Sequence, residues 1–253
     1  MKKIVLSKTD LNKIKQNKMF ESYESNVYII NENEQKKVIK IFNKNIDLNN
    51  KLKKICLIKE RLNNFNNVVT ASEIVYYEDQ FIGYTMPYIE GKNIDSYYLK
   101  RKKDIIKILK KVSDTLKELH KKNIVCGDFQ NNILIDKLDN IFFIDHDNFS
   151  IDNIPIDTKN VYLKKYMKHV GIFDERFDNY LLNLLTICLL NNSYILYTFD
   201  MHYTTIDCLL FKDKEINNII KNTINLNGEY NEDLIIDKLN TKKDLKKIKR
   251  KLF

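Results

Sequence analysis

The chain has 253 residues, 43% of them hydrophobic, and a formal net charge of +9. The apolar content suffices for a core and excludes a disordered chain, while five Gly and two Pro exclude collagen-like or linker-rich architectures. The length suits one large domain or two small lobes. The positive charge is spread along the whole sequence and reads as a solvated lysine surface, compatible with a nucleic-acid partner but without a motif for one.

In chain order, β-rich runs come first. Residues 27–30 (Val-Tyr-Ile-Ile) and 37–42 (Lys-Val-Ile-Lys-Ile-Phe) flank a polar turn and predict a hairpin. Residues 48–62 carry Leu52, Ile55, Leu57, Ile58 and Leu62 at helical spacing. Two more strands are predicted at 73–77 and 81–88, with Glu78, Asp79 and Gln80 as their turn. After Gly91 the character changes: Ile105, Ile108, Val112, Leu116 and Leu119 step by three and four along one face of a long helix. Short strand signals return at 132–136 and 141–144, and residues 178–190 are apolar nearly all round, as in a buried helix. Residues 215–224, 232–239 and the lysine-rich 242–251 also read as helical. The order predicts an α+β fold with two lobes: a small β-rich one over residues 1–90 and a mainly helical one over 91–253.

Cys56, Cys126, Cys188 and Cys208 show neither CxxC pairing nor metal-ligand spacing with histidine, and read as reduced thiols. The amino terminus lacks the apolar stretch of a signal peptide, and the longest apolar run, 180–190, is too short to span a bilayer. A soluble, cytoplasmic protein is expected.

The polar residues that interrupt these apolar runs carry the chemical signal. Lys40 stands inside Val38-Ile39-Lys40-Ile41-Phe42, on the same side of an alternating strand as Val38. Asp128 and Asn132 lie in Cys126-Gly127-Asp128-Phe129-Gln130-Asn131-Asn132-Ile133-Leu134, and Asp145 ends the apolar run 141–144. Phosphoryl transfer needs a cation on the phosphates, oxygen ligands for magnesium and a carboxylate beside the attacking hydroxyl, and these residue types occur here in that order. Over about residues 20–190 the sequence resembles the protein kinase-like superfamily.

That resemblance implies a bilobal fold that binds ATP and Mg2+ and phosphorylates a hydroxyl, on a protein Ser/Thr or on a small molecule. Asp128 would accept the hydroxyl proton, Lys40 would hold the phosphates, and Asn132 and Asp145 would hold magnesium. Ser22, Ser25 and Val27 would line the nucleotide, with Met86 in the gatekeeper place. Pro87 keeps a carbonyl and Ile89 an N–H for adenine, while Asn93 or Asp95 would reach the ribose. Asp178 matches the helix residue that holds the catalytic loop by its backbone amides.

Several positions depart from the family pattern. Cys126 replaces a histidine, the stretch from Asp128 to Asn132 is one residue short, and Gln130 stands near the usual loop lysine. His146 and Asp147 replace Phe-Gly, and a third-position carboxylate is more familiar from aminoglycoside and choline kinases. Phe20, Ser22 and Ser25 fall at the glycine-loop positions, and residues 162–166 stand where Ala-Pro-Glu is expected. A helix glutamate for Lys40 is missing: gap-free counting puts Lys54 there, and Glu60 is the nearest carboxylate. Three readings stay open: a protein kinase, a small-molecule kinase and an ATP-binding pseudokinase.

Overall fold

The structure is a computed structural model that describes residues 1–32, 34–128, 131–152, 154–156, 174–190, 213–224 and 233–239. Gln130, Cys208, the region 162–166 and the helix expected over 242–251 lie outside the described residues. The chain divides into two compact units, Met1–Gly91 with Phe142–Asp147, and Lys92–Ile141 with Asn148–Phe253.

The first unit is built on a six-stranded sheet. Its strands are β1 (Lys2–Val5), β2 (Lys18–Glu21), β3 (Ser25–Glu32), β4 (Gln35–Phe42), β5 (Glu73–Tyr77) and β6 (Gln80–Pro87), in the order β1-β5-β6-β4-β3-β2. The predicted hairpin is β3–β4, in a register that sets Val27 opposite Lys40. In β5–β6, Glu78 and Asp79 both take positive φ (48° and 61°), as a two-residue turn between right-twisted strands requires. Gln80, expected in the turn, therefore already belongs to β6.

Strand alternation sorts β4 onto two faces. Val38 and Phe42 join Ala71, Ile74, Tyr84, Met86 and Ile55 of helix α2 (Leu48–Arg61) in one apolar cluster. Ile39 faces the other way, against Tyr28 and Val75. That second face is covered by Leu6 and by Ile14 of helix α1 (Lys8–Lys15), so the sheet is half-wrapped by its own amino-terminal segment. Helix α1 starts on a reciprocal cap: Ser7 Oγ accepts from Asp10 N–H at 3.1 Å, and the Asp10 carboxylate accepts from Ser7 N–H at 3.0 Å. Neither β1, which runs parallel to β5, nor α1 was expected from sequence, because four- and eight-residue segments carry too few periods to register.

The second unit is mainly helical. It contains α3 (Lys102–His120), α4 (Glu175–Leu190), α5 (Lys214–Ile224) and the short α6 (Ile235–Lys238). Ile105, Ile108, Val112, Leu116 and Leu119 form the predicted buried stripe of α3, and α4 is buried along nearly its whole length. Asn183, the polar residue in that apolar run, donates to Asp233 C=O and accepts from Ile235 N–H, both at 2.9 Å. A buried amide is tolerated there because it completes a backbone segment that has no ladder partner. Short strands frame the loop that follows α3: β7 (Gly91–Asn93), β8 (Ile124–Val125), β9 (Ile133–Asp136), β10 (Ile141–Phe143) and β11 (Ser150–Ile151). Strand β11 pairs antiparallel with β8. At Phe142 the chain leaves this unit and returns to the first.

Candidate active site

In the first unit, the sheet face carrying Val38 also carries Lys40. Opposite neighbours in a strand pair share a face, so Val27 and Tyr84 flank Lys40, and Met86 flanks Val38. Nucleotide-lining candidates Val27 and Met86 thus stand on the lysine's face, and Ile89 packs against the same cluster. Pro87 ends β6, exposed. Gly83 lies so close to β4 that a Cβ built on it would sit 2.0 Å from the Lys40 carbonyl oxygen. Only glycine lets β6 approach the backbone of Lys40 to that depth.

The segment 142–147 is fastened to this unit through backbone bonds, Phe143 N–H to Asn67 C=O and Val69 N–H to Phe143 C=O, each at 2.8 Å. It delivers two carboxylates to one ammonium. Lys40 Nζ donates to Asp145 and, at 2.7 Å, to Asp147 Oδ1. Asp145 holds a positive φ of 65°, an uncommon backbone state that aspartate tolerates better than most residues. Burial by itself would discharge Lys40, but Asp145 and Asp147 outweigh it and hold the ammonium charged above its ordinary range.

Asp147 is the hub of the cluster. Its Oδ1 also accepts from Tyr84 Oη at 2.7 Å, and its Oδ2 accepts from Lys51 of α2 at 2.9 Å. Lys51 reaches Glu24 as well, at 3.1 Å. Burial would raise the Asp147 carboxyl, yet Lys40 and Lys51 overcome it and keep the group ionised. His146 is fully buried, with its ring edge-to-face against Tyr84. Its removal from water lowers it to about 4, so the ring is neutral at pH 7. The sequence offers no helix glutamate for Lys40: Glu60, the nearest carboxylate, is exposed, and α2 instead brings Lys51 into the cluster.

Ser22 and Ser25 occupy the turn between β2 and β3. Ser22 N–H donates to Ser25 C=O at 2.8 Å, while Ser22 Oγ accepts from the N–H groups of Glu24 and Ser25 at 3.3 and 3.1 Å. Asn43 braces the same turn by donating to Tyr23 C=O at 2.8 Å. The amides that glycine would leave open are engaged inside the turn.

In the second unit, Asp178 of α4 organises the loop after β8. Its carboxylate accepts from Cys126 N–H at 2.9 Å and from Gly127 N–H at 2.8 Å, and meets His120 Nε2 at 2.8 Å. Gly127 has a positive φ of 71°, which aims its N–H at that carboxylate without a Cβ penalty. Cys126 is buried, and burial pushes its thiol well above the ordinary value, so it acts as a small apolar filler. Asp128 follows directly, half-buried.

The two asparagines beyond Asp128 separate by their bonds. Asn131, at positive φ, uses its N–H on Asp95 Oδ2 (3.1 Å) and its side-chain carbonyl on Asn93 Nδ2 (3.4 Å). Asn132 donates its amide to Asp128 C=O at 3.4 Å, which leaves its carbonyl oxygen as the acceptor for other chemistry. Asn93 Oδ1 accepts from Asp95 N–H at 2.9 Å, so the ribose candidates cap a 3₁₀ turn over Ile94–Leu99. Taken one at a time, Asn132 and Asp145 each carry an oxygen donor of the chemical kind magnesium takes.

Comparison with known proteins finds its match in structure alone. No protein-family model matches the chain, and no curated protein matches it. Among solved structures it is similar to the Cydia pomonella granulovirus kinase PK-1, with a TM-score of 0.60 and 16% identity, over 87% of this chain and 91% of that one. The chain therefore has a protein kinase-like fold of the α+β class. Among the described residues no helix is long and apolar enough to cross a membrane.

Proposed function

We propose that this chain is a magnesium-dependent phosphotransferase that moves the terminal phosphoryl group of ATP to a hydroxyl, with a protein Ser/Thr as acceptor. The observation that carries the reading is the pairing of Lys40 with Asp145 on the sheet face shared with Val27, Val38 and Met86. In this reading Lys40 binds the ATP phosphates and Asp145 and Asn132 hold magnesium, which when bound neutralises charge on the transferring group. Phosphate contact rests on Lys40 because the amides around Ser22 and Ser25 are engaged within their turn. Asp128 orients the acceptor hydroxyl and takes its proton as the oxygen attacks the phosphorus. Adenine is held by the Pro87 carbonyl and the Ile89 N–H, and the ribose by Asn93. A small-molecule acceptor is the second reading, favoured by the carboxylate at Asp147 where protein kinases carry glycine.

Asp128→Asn tests the assignment, with calorimetric MgATP titration and labelled-phosphate transfer measured on the same preparation. The expected outcome is near wild-type ATP affinity with transfer reduced by about 100-fold or more. Transfer is assayed to the protein itself, to generic protein substrates and to amino-alcohols, which separates the two acceptor classes. Wild-type protein that binds ATP without transferring to any of them supports a pseudokinase instead. A variant that loses ATP binding but keeps turnover removes Asp128 from its role.

A further inference from the structure

In kinase-type sites the phosphate-binding lysine is set by a carboxylate on the neighbouring helix. Here α2 turns a cation inward. Lys51 is as buried as Lys40, with side-chain exposures of 5% and 4%, and the two ammonium groups grip opposite oxygens of one carboxylate, Asp147. Two buried cations this close repel strongly unless an anion lies between them, and a buried carboxylate is equally costly without cations. Each charge in the trio therefore requires the others. The hydroxyl of Tyr84 closes the remaining donor position on Asp147 Oδ1.

The two carboxylates on Lys40 differ in access. The Asp145 side chain is 25% exposed and that of Asp147 is 0%. A carboxylate that keeps contact with solvent can exchange its lysine for an incoming ion; one sealed beneath Lys40, Lys51 and Tyr84 cannot.

We propose that Asp147 is the positioning residue for Lys40 and that Lys51 is its counter-ion, so that the lysine–carboxylate pair normally completed from the helix is transposed: the anion sits beside Asp145 and the cation on α2. With Asp145 the residue that would hold magnesium, Asp147 would keep the Lys40 ammonium in place for the phosphates. Glu24, bonded to Lys51, extends the same chain of charges to the β2–β3 turn. This inference rests on the phosphotransferase reading for its purpose and on the ion pairs for its geometry.

Exchange of the two residues tests it. Lys51→Glu places an extra anion beside Asp145 and Asp147, and Asp147→Gly leaves two cations with only Asp145 between them. The double variant Lys51→Glu/Asp147→Gly restores one lysine facing one helix carboxylate. MgATP affinity, the KM-against-kcat split for phosphate transfer, and melting without nucleotide are measured for wild type and all three variants. Each single variant is expected to lose at least about tenfold in MgATP affinity, and the double variant to recover at least about tenfold of the loss in the worse single. Recovery is partial because Glu24 then faces a carboxylate. A purely structural role would restore melting without restoring affinity, and that result overturns the proposal. So does a double variant that fails to fold, or single variants that bind MgATP as wild type does. Wild-type protein that neither binds MgATP nor transfers phosphate overturns the phosphotransferase reading itself, a different and recognisable outcome.

Discussion

The two units hold their candidate site residues by different means. In the first, side chains hold side chains: Lys40, Lys51, Asp145 and Asp147 form a closed cluster of charges. In the second, one buried carboxylate, Asp178, holds a loop through the N–H groups of Cys126 and Gly127. A charge cluster is indifferent to which residue supplies each sign, provided the signs alternate in space. A clamp on backbone amides demands one acceptor at one place, because the amides are fixed by the chain path. On physical grounds the first kind of support tolerates exchange of its residues between positions, and the second does not.

The contrast can be broken most severely at Asp178. Replacing it with Ala leaves two buried N–H groups and His120 without their acceptor, an expected loss of about 3–5 kcal/mol. Urea denaturation of Asp178→Ala checks this, and a loss below about 1 kcal/mol would show that water substitutes for the clamp. An intermediate effect is expected at Gly83→Ala. The new methyl meets backbone at Lys40, which no rotamer change can relieve, so β4 and β6 must separate. Destabilisation of about 1–3 kcal/mol is expected, accompanied by weaker MgATP binding because the strand that carries Lys40 moves. Loss of stability with unchanged affinity would mean that the charge cluster holds Lys40 independently of its strand, and would sharpen the comparison further.

The smallest effect concerns Glu73 on the same sheet, a buried carboxylate whose partner Lys37 keeps contact with solvent. Burial raises Glu73, but the Thr85 hydroxyl and Lys37 outweigh it and hold the carboxyl below its ordinary value of 4.5. A carboxylate with a lowered folded-state value stabilises the protein above pH 4.5, and that contribution is lost as pH falls through the folded value. Glu73→Gln should therefore cost about 1 kcal/mol or less at pH 7 and progressively less than that in more acidic buffer. Melting curves from pH 7 to pH 3 check the sign: wild type and variant should converge as the pH drops.

Much of the fold was legible because its signals are local. Strand alternation put Lys40 on the face of Val38, helical spacing marked the stripe of α3, and the all-round apolar run at 178–190 marked a buried helix. Asp128, Asp145 and Asp178 were nominated because the short segments around them resemble kinase motifs. The strands β1, β2, β8 and β11 were not read, since segments of two to four residues become strands only when a partner strand supplies their hydrogen bonds.

Local patterns in the chain were enough to read strands ahead of helices and the face on which Lys40 stands, and to nominate the acids that follow it. What holds that lysine emerged with folding. Helix α2 carries Lys51, Lys53 and Lys54 within four residues, and periodicity cannot say which of them turns toward Asp147, 96 residues beyond Lys51 in the chain. Nor could Asp147 be told from a surface acid while its neighbours were unknown. Electrostatic partners are set by distance in space and by the loss of water around them, and neither quantity exists until the chain has folded.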